Sequence, residues 1–218
     1  MQPDFWHERW SKNQIGFHEN VANPLLLAHC AALDLARGAR VFLPLCGKTL
    51  DIDWLLANGY RVAGAELSQV AVAALFERLK LPPTIDRPSG TTGGITRWSS
   101  PGLDVFVGDI FALAAESLGG VDAVYDRAAL IALPPDMRSR YAAHMNVLTQ
   151  GARQLLITMD YDQSLLAGPP FSVSQAEVRR LYGDREPAQL ASHELPGGFR
   201  GISPVTENTW LLRERRPA

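Results

Sequence analysis

Gly47 and Glu66 are the first residues in this chain whose types and spacing could do chemistry. Gly47 lies in Val41-Phe42-Leu43-Pro44-Leu45-Cys46-Gly47-Lys48-Thr49, which reads as a strand, a turn and the start of a helix. A nucleotide-like group can come close only where the backbone is bare, and glycine supplies that. Glu66 ends the next apolar run, Arg61 to Glu66, about 20 residues further on. A carboxylate so placed can accept hydrogen bonds from both hydroxyls of a ribose. It also repels a 2′-phosphate. The plain alternative is a turn glycine and a solvated strand end.

Two phosphate-binding readings fail on residue identity. Gly47-Lys48-Thr49 looks like the end of a P-loop, but that loop needs a glycine where Phe42 stands. A dinucleotide fingerprint needs three glycines at this turn, and only Gly47 is there.

Two further strand ends carry candidate groups. After Leu103 to Val107 comes Gly108-Asp109-Ile110. In a doubly wound sheet this turn lies beside the adenine of a nucleoside ligand. Asp109, or a backbone group at Ile110, could bind the adenine amino group. Asp109 could equally cap a helix. The other end is Val124-Tyr125-Asp126-Arg127. Neighbouring strand residues point to opposite faces, so one of Asp126 and Arg127 should face the crevice. Arg127 could clasp an amino-acid carboxylate with a bidentate fork. A structural salt bridge is the competing role.

The elements that must position these groups follow a pattern. Asp4 to Lys12 reads as a short amphipathic helix bearing Phe5, Trp6 and Trp10, with Phe17 just after it. A second helix is expected from Asn23, its N-cap, to Ala36, stopped by Gly38. From Arg40 the chain alternates strand and helix, the mark of a parallel sheet covered on both faces. Strands are expected at Arg40 to Pro44, Arg61 to Glu66, Leu103 to Val107, Val121 to Tyr125, Gln154 to Asp160, Ala188 to His193 and Thr206 to Arg213. Helices are expected from Thr49 to Asn58, after the Ser68 cap, from Pro135 to Leu148 and after Ser174. The last two strands have no helix between them, so they pair antiparallel at an edge. The stretch Leu81 to Pro101 is rich in Pro, Gly, Ser and Thr and reads as a loop or loose hairpin.

Composition narrows the function classes. A length of 218 residues suits one α/β domain with additions. Net charge is -2, so no overall field favours nucleic acid. Arg213, Arg215 and Arg216 are too few for a phosphate patch and read as a solvated tail. Two cysteines give no disulfide framework, and Cys46 reads as a small packing residue. The five histidines have no metal-ligand spacing, so no metal is expected. No apolar run reaches the roughly 18 residues of a membrane span, and no signal peptide is recognisable. A cytoplasmic protein is expected. Asp160, Tyr161 and Asp162 follow a strand and could line a pocket or form a turn.

Taken together, the motifs resemble the bacterial form of the thiopurine S-methyltransferase family. The segments that carry the resemblance begin with Trp6-His7-Glu8-Arg9-Trp10, Gly16-Phe17-His18 and Asn23-Pro24-Leu25-Leu26. They continue with Val41 to Asp51, Gly64-Ala65-Glu66-Leu67-Ser68 and Tyr125 to Leu133. The last runs from Asp160-Tyr161-Asp162 through Gly168-Pro169-Pro170-Phe171. The resemblance implies a class I, Rossmann-like fold: a mostly parallel seven-stranded sheet with helices on both faces, an antiparallel edge and an added N-terminal helix. One domain over 1–218 is expected, with 1–38 as a helical lid and 39–218 as the core.

The resemblance implies S-adenosylmethionine as cofactor, touched by Trp10, Leu45, Glu66 and Arg127, with Asp109 and Ile110 at the adenine. Gly47 joins that set from the backbone argument above. Phe17 would lie against the acceptor. The implied reaction is S-methylation of small aromatic or heterocyclic thiols, with selenium or tellurium compounds as further acceptors. Oxygen or nitrogen methylation, or cofactor binding without catalysis, are the alternatives. Thiolates are strong nucleophiles, so no catalytic base is expected, and the enzyme is expected to act as a monomer.

Overall fold

Nine strands join in one sheet in the computed structural model, which describes residues 3–16, 18–88 and 94–215. Five run parallel, in the order β5 (Leu103–Val107), β2 (Arg61–Glu66), β1 (Arg40–Pro44), β6 (Ala123–Asp126) and β7 (Arg153–Asp160). Antiparallel β9 (Thr206–Glu214) and β8 (Arg185–Glu194) extend the β7 edge. These are the seven strands expected.

A hairpin of β3 (Thr84–Asp86) and β4 (Thr96–Ser100) adds two more, with β4 antiparallel to β5. Its turn residues hide it in the sequence, but its inward side chains anchor it. Trp98 and Ile95 are buried, and Trp98 packs on Phe76 with ring centroids 6.0 Å apart.

Alternation along β1 sorts two cores. Val41 and Leu43 face α2 (Pro24–His29), α3 (Asp51–Ala57) and α4 (Gln69–Leu79), where Leu26, Ile52, Leu55 and Leu75 meet them. Phe42 faces α5 (Ala115–Leu118), α6 (Pro135–Leu148) and α7 (Gln175–Leu181), with Tyr141, Met145 and Trp210. At about 25 cal/mol per Å2 of apolar surface, each such buried side chain contributes roughly 1.5–3 kcal/mol.

Local signals set the helix starts. The Ser68 hydroxyl accepts the Ala71 N–H and caps α4. Asn23 Oδ1 accepts the Leu25 N–H and caps α2, with Pro24 in the first turn. The second helix is shorter than expected. It gives way to a 3-10 turn over Cys30–Leu33 and ends at Asp34 in the left-handed region, short of Ala36 and Gly38. The helix after β1 starts at Asp51 rather than Thr49. The short α1 (Pro3–Ser11) lies against α4. No helix among the described residues is long and apolar enough to cross a membrane.

Candidate functional site

Strand order decides where a ligand can sit. From β1 the chain builds β2 and β5 to one side and β6 and β7 to the other, so β1 and β6 flank the switch point. Their ladder covers two pairs, Val41↔Ala123 and Phe42↔Val124. Beyond these, β1 runs on to Pro44 and β6 to Asp126, and the ends part. Left-handed backbone gathers around this opening: Leu45 has φ 47°, Gly47 φ 53° and Ala128 φ 62°. For Leu and Ala such a conformation costs roughly 1–3 kcal/mol and tends to cluster at functional sites.

Glu66 joins the turns after β1 and β2. Its Oε2 accepts the Gly47 N–H at 2.8 Å, and its Oε1 accepts the Ser68 N–H at 2.8 Å. Burial pushes its carboxyl above the ordinary value, while the N–H groups of Ser68, Gly47 and Leu67 pull it back. Each oxygen keeps a lone pair in reserve, which suits a diol.

The bare face of Gly47 is met by Trp10. A Cβ there would lie 2.8 Å from the indole Cζ2. The bare backbone expected to admit a ligand is met on this face by a side chain of the chain itself. Trp10 is 7% exposed, and the Lys48 ammonium stands 6.0 Å from its ring centre. Leu45 is half-buried in the same turn.

Arg127 reaches across the other half of the opening and forms an ion pair with Glu19, from the stretch between α1 and α2. Asp126 points the other way, as strand alternation demands. Its carboxyl is fully buried and takes the Tyr141 hydroxyl at 2.8 Å, the Leu130 N–H at 3.1 Å and the Gln154 amide at 3.3 Å. Desolvation raises it to about 6.

Asp109 is exposed and its Oδ1 accepts the Phe111 N–H, so it caps a short 3-10 turn. Ile110 is buried, and its carbonyl is held by the His144 ring at 2.8 Å, leaving that oxygen less free than the sequence reading supposes. Both sit after β5, with β2 and β1 between them and the strand that carries Arg127. The structure thus brings Trp10, Leu45, Gly47, Glu66 and Arg127 around one opening, with Asp109 and Ile110 at its flank. Phe17 lies outside the described residues.

Asp160 is the last residue of β7 and accepts the Ser172 hydroxyl at 3.3 Å, while Tyr161 and Asp162 hold the turn after it. Asp162 caps the 3-10 turn Gln163–Leu165, and Tyr161 donates to the Pro170 carbonyl at 2.6 Å. Among the described residues no three His, Cys, Asp or Glu side chains converge as a metal site. A cavity of about 450 Å3, lined by Asp34, Gly38, Asp122 and Arg153, opens at the amino ends of the strands. That is the wrong end for ligand binding in an open α/β sheet.

Sequence reasoning missed three supporting residues. Arg78 in α4 grips the turn after Gly47, donating to the Lys48 carbonyl at 2.5 Å and the Thr49 carbonyl at 3.1 Å, and pairs with Asp53. Asp51 accepts the Asn23 N–H at 2.6 Å and so docks α2 beside the turn. Glu19 holds Arg127. All three act across long sequence separations, and no local pattern marks them.

Comparisons with known proteins place the family and the fold. A family model described as thiopurine S-methyltransferase (TPMT) matches residues 1–215. A thiopurine S-methyltransferase of Xanthobacter autotrophicus is 56% identical over 214 residues, covering 97% of this chain and 99% of that one. One from Pseudomonas entomophila is 53% identical over 218 residues, covering 97% and 99%. An Anabaena variabilis SAM-dependent methyltransferase shares the fold with TM-score 0.67 at 13% identity, covering 98% of this chain and 95% of that one. A Burkholderia thailandensis N1-methyltransferase of didemethyltoxoflavin, solved with S-adenosylhomocysteine, gives 0.67 at 17%, covering 98% and 87%. The class I methyltransferase sheet, its opening beside β1 and a match over nearly the whole length agree: this chain belongs to the thiopurine S-methyltransferase family.

Proposed function

We propose that the protein transfers a methyl group from S-adenosylmethionine to the sulfur of a small aromatic or heterocyclic thiol. The observation that carries this reading is the convergence of Glu66, the Leu45–Gly47 turn and Arg127 at the carboxyl ends of the adjacent strands β2, β1 and β6. A ribose, a nucleoside body and an amino-acid carboxylate are the three parts such a set can hold. The spare lone pairs of Glu66 and the fork of Arg127 fit them.

When bound, the cofactor supplies a methyl group activated on a sulfonium. The chain's own work is positioning. Glu66 fixes the ribose hydroxyls, Arg127 orients the amino-acid end, and Asp109 and Ile110 border the adenine. Well-oriented partners reach effective molarities on the order of 10⁵ to 10⁸ M, so orientation alone supplies a large share of the rate. Trp10 and the segment ahead of α2 form the cover, with Phe17 against the acceptor. That cover excludes water, which would otherwise stabilise the separate thiolate and sulfonium charges that the reaction removes. Heteroaromatic thiols are substantially ionised near neutral pH, so no side chain need act as base. The enzyme works in the cytoplasm.

Incubation with labelled S-adenosylmethionine and a panel of aromatic thiols, selenols and tellurium compounds tests the reading. A labelled methyl thioether is the expected product. Label appearing only on oxygen or nitrogen acceptors, or on none, would overturn it.

A further inference from the structure

The proposed function needs the guanidinium of Arg127 for the carboxylate of a ligand, and this inference rests on that reading. In the structure the same guanidinium is already paired with Glu19. Arg127 is the better buried partner, with its side chain 15% exposed against 40% for Glu19. A second carboxylate also stands by. Glu207 at the start of β9 is half-buried and feels Arg127, Glu19 and His193. Tyr125 feels Asp51, Arg127 and Glu19, and His18 feels Lys48 and Arg78 as well as Arg127 and Asp51. Arg127 therefore stands among two carboxylates of its own chain, Glu19 and Glu207, and an incoming carboxylate must compete for it.

The tether at Glu19 is the weak one. Besides Arg127, Glu19 accepts the Asn23 side-chain amide, at a long 3.3 Å. Asn23 is 2% exposed and is held firmly elsewhere, by Asp51 at 2.6 Å and by its own cap on Leu25. The chain can thus let go at Glu19 while Asn23 stays anchored as a pivot. An ion pair whose carboxylate is exposed gives little stability, whereas a bidentate clasp of a well-enclosed carboxylate by the same arginine is strong and geometrically selective.

We infer that Glu19 is an internal competitor for Arg127, a carboxylate of the chain that holds the guanidinium and yields it to the carboxylate of the adenosyl ligand. Glu19 thereby sets how tightly carboxylate-bearing ligands bind. It weakens substrate cofactor and spent cofactor alike, and so speeds release of the product. Glu207, carried on the sheet, stays with Arg127 after the exchange.

The test compares two probes by calorimetry: S-adenosylhomocysteine, which carries the carboxylate, and methylthioadenosine, which lacks the amino-acid end. Glu19→Gln should tighten S-adenosylhomocysteine by roughly two- to fivefold, the range of an exposed ion pair, and leave methylthioadenosine unchanged. Arg127→Gln should weaken S-adenosylhomocysteine alone. Thermal melts confirm that both variants are folded. If Glu19→Gln weakens S-adenosylhomocysteine, leaves it unchanged or moves both probes equally, while Arg127→Gln stays selective, the competitor is overturned and the role of Arg127 survives. If Arg127→Gln moves both probes alike, the role of Arg127 falls and the competitor falls with it.

Discussion

Gly47 donates its backbone N–H to Glu66 Oε2 at 2.8 Å, so one buried carboxylate sets the turn that follows β1 and the turn it begins itself. Removing it leaves two buried N–H groups without acceptors, each costing about 1–3 kcal/mol. Glu66→Ala should therefore lower both stability and cofactor affinity. Glu66→Gln keeps one acceptor oxygen and separates the two effects, with stability falling less than affinity for S-adenosylhomocysteine. Calorimetry beside chemical unfolding checks this. Full affinity in Glu66→Gln would remove Glu66 from the ribose.

Gly47→Ala forces a side chain into left-handed backbone at φ 53° and sets a Cβ 2.8 Å from Trp10. The backbone part costs roughly 1–2 kcal/mol. The contact part should disappear in a Trp10→Ala background. A double-mutant cycle on unfolding free energy should therefore show coupling of the two sites. Strict additivity would mean that the indole does not rest on this turn in solution.

Asp126 makes stability depend on pH. Its ordinary value of 3.8 is raised by burial to about 6 in the folded chain. The folded state then binds the proton more tightly than the unfolded chain. Stability falls as pH rises from about 4 to about 6, because the unfolded chain sheds its proton first. The penalty is absent below both values and full above both, on the order of 3 kcal/mol. Glu66 and Glu207, also raised by burial, act with the same sign. Asp126→Asn should flatten its share of this slope. Urea unfolding between pH 4 and pH 7 checks it, and identical slopes in both proteins would clear Asp126 as a cause.

Phe17 is assigned to the acceptor side of the proposed function. Phe17→Ala should raise the acceptor KM several-fold, and S-adenosylhomocysteine affinity should hold. Steady-state kinetics with a thiol acceptor, beside calorimetry, checks the division. Equal losses in both would move Phe17 to the cofactor.

Much of the framework was legible because it is written in local chemistry. Apolar runs of four to six residues, the Ser68, Asn23 and Ser174 caps and the spacing from Gly47 to Glu66 each act within one or two turns of chain. They place the strands, start the helices and bring Glu66 to a strand end. The hairpin from Thr84 to Ser100 was less legible. Its turn-rich composition conceals Trp98 and Ile95, whose burial depends on a groove made by other elements.

The opposite directions of Asp126 and Arg127 follow from β geometry, which any strand of L-residues obeys. What each then meets does not follow. Tyr141 reaches Asp126 from α6, and Glu19 reaches Arg127 across more than a hundred residues of chain. Trp10 comes to Gly47, and Arg78 to the carbonyls of Lys48 and Thr49, in the same way. The sequence by itself determined the class of sheet and the groups at its strand ends, because backbone periodicity and capping are short-range. Only the tertiary structure decided the partners of those groups, because long-range pairing depends on how packed faces bring distant segments together, and no local residue pattern encodes that.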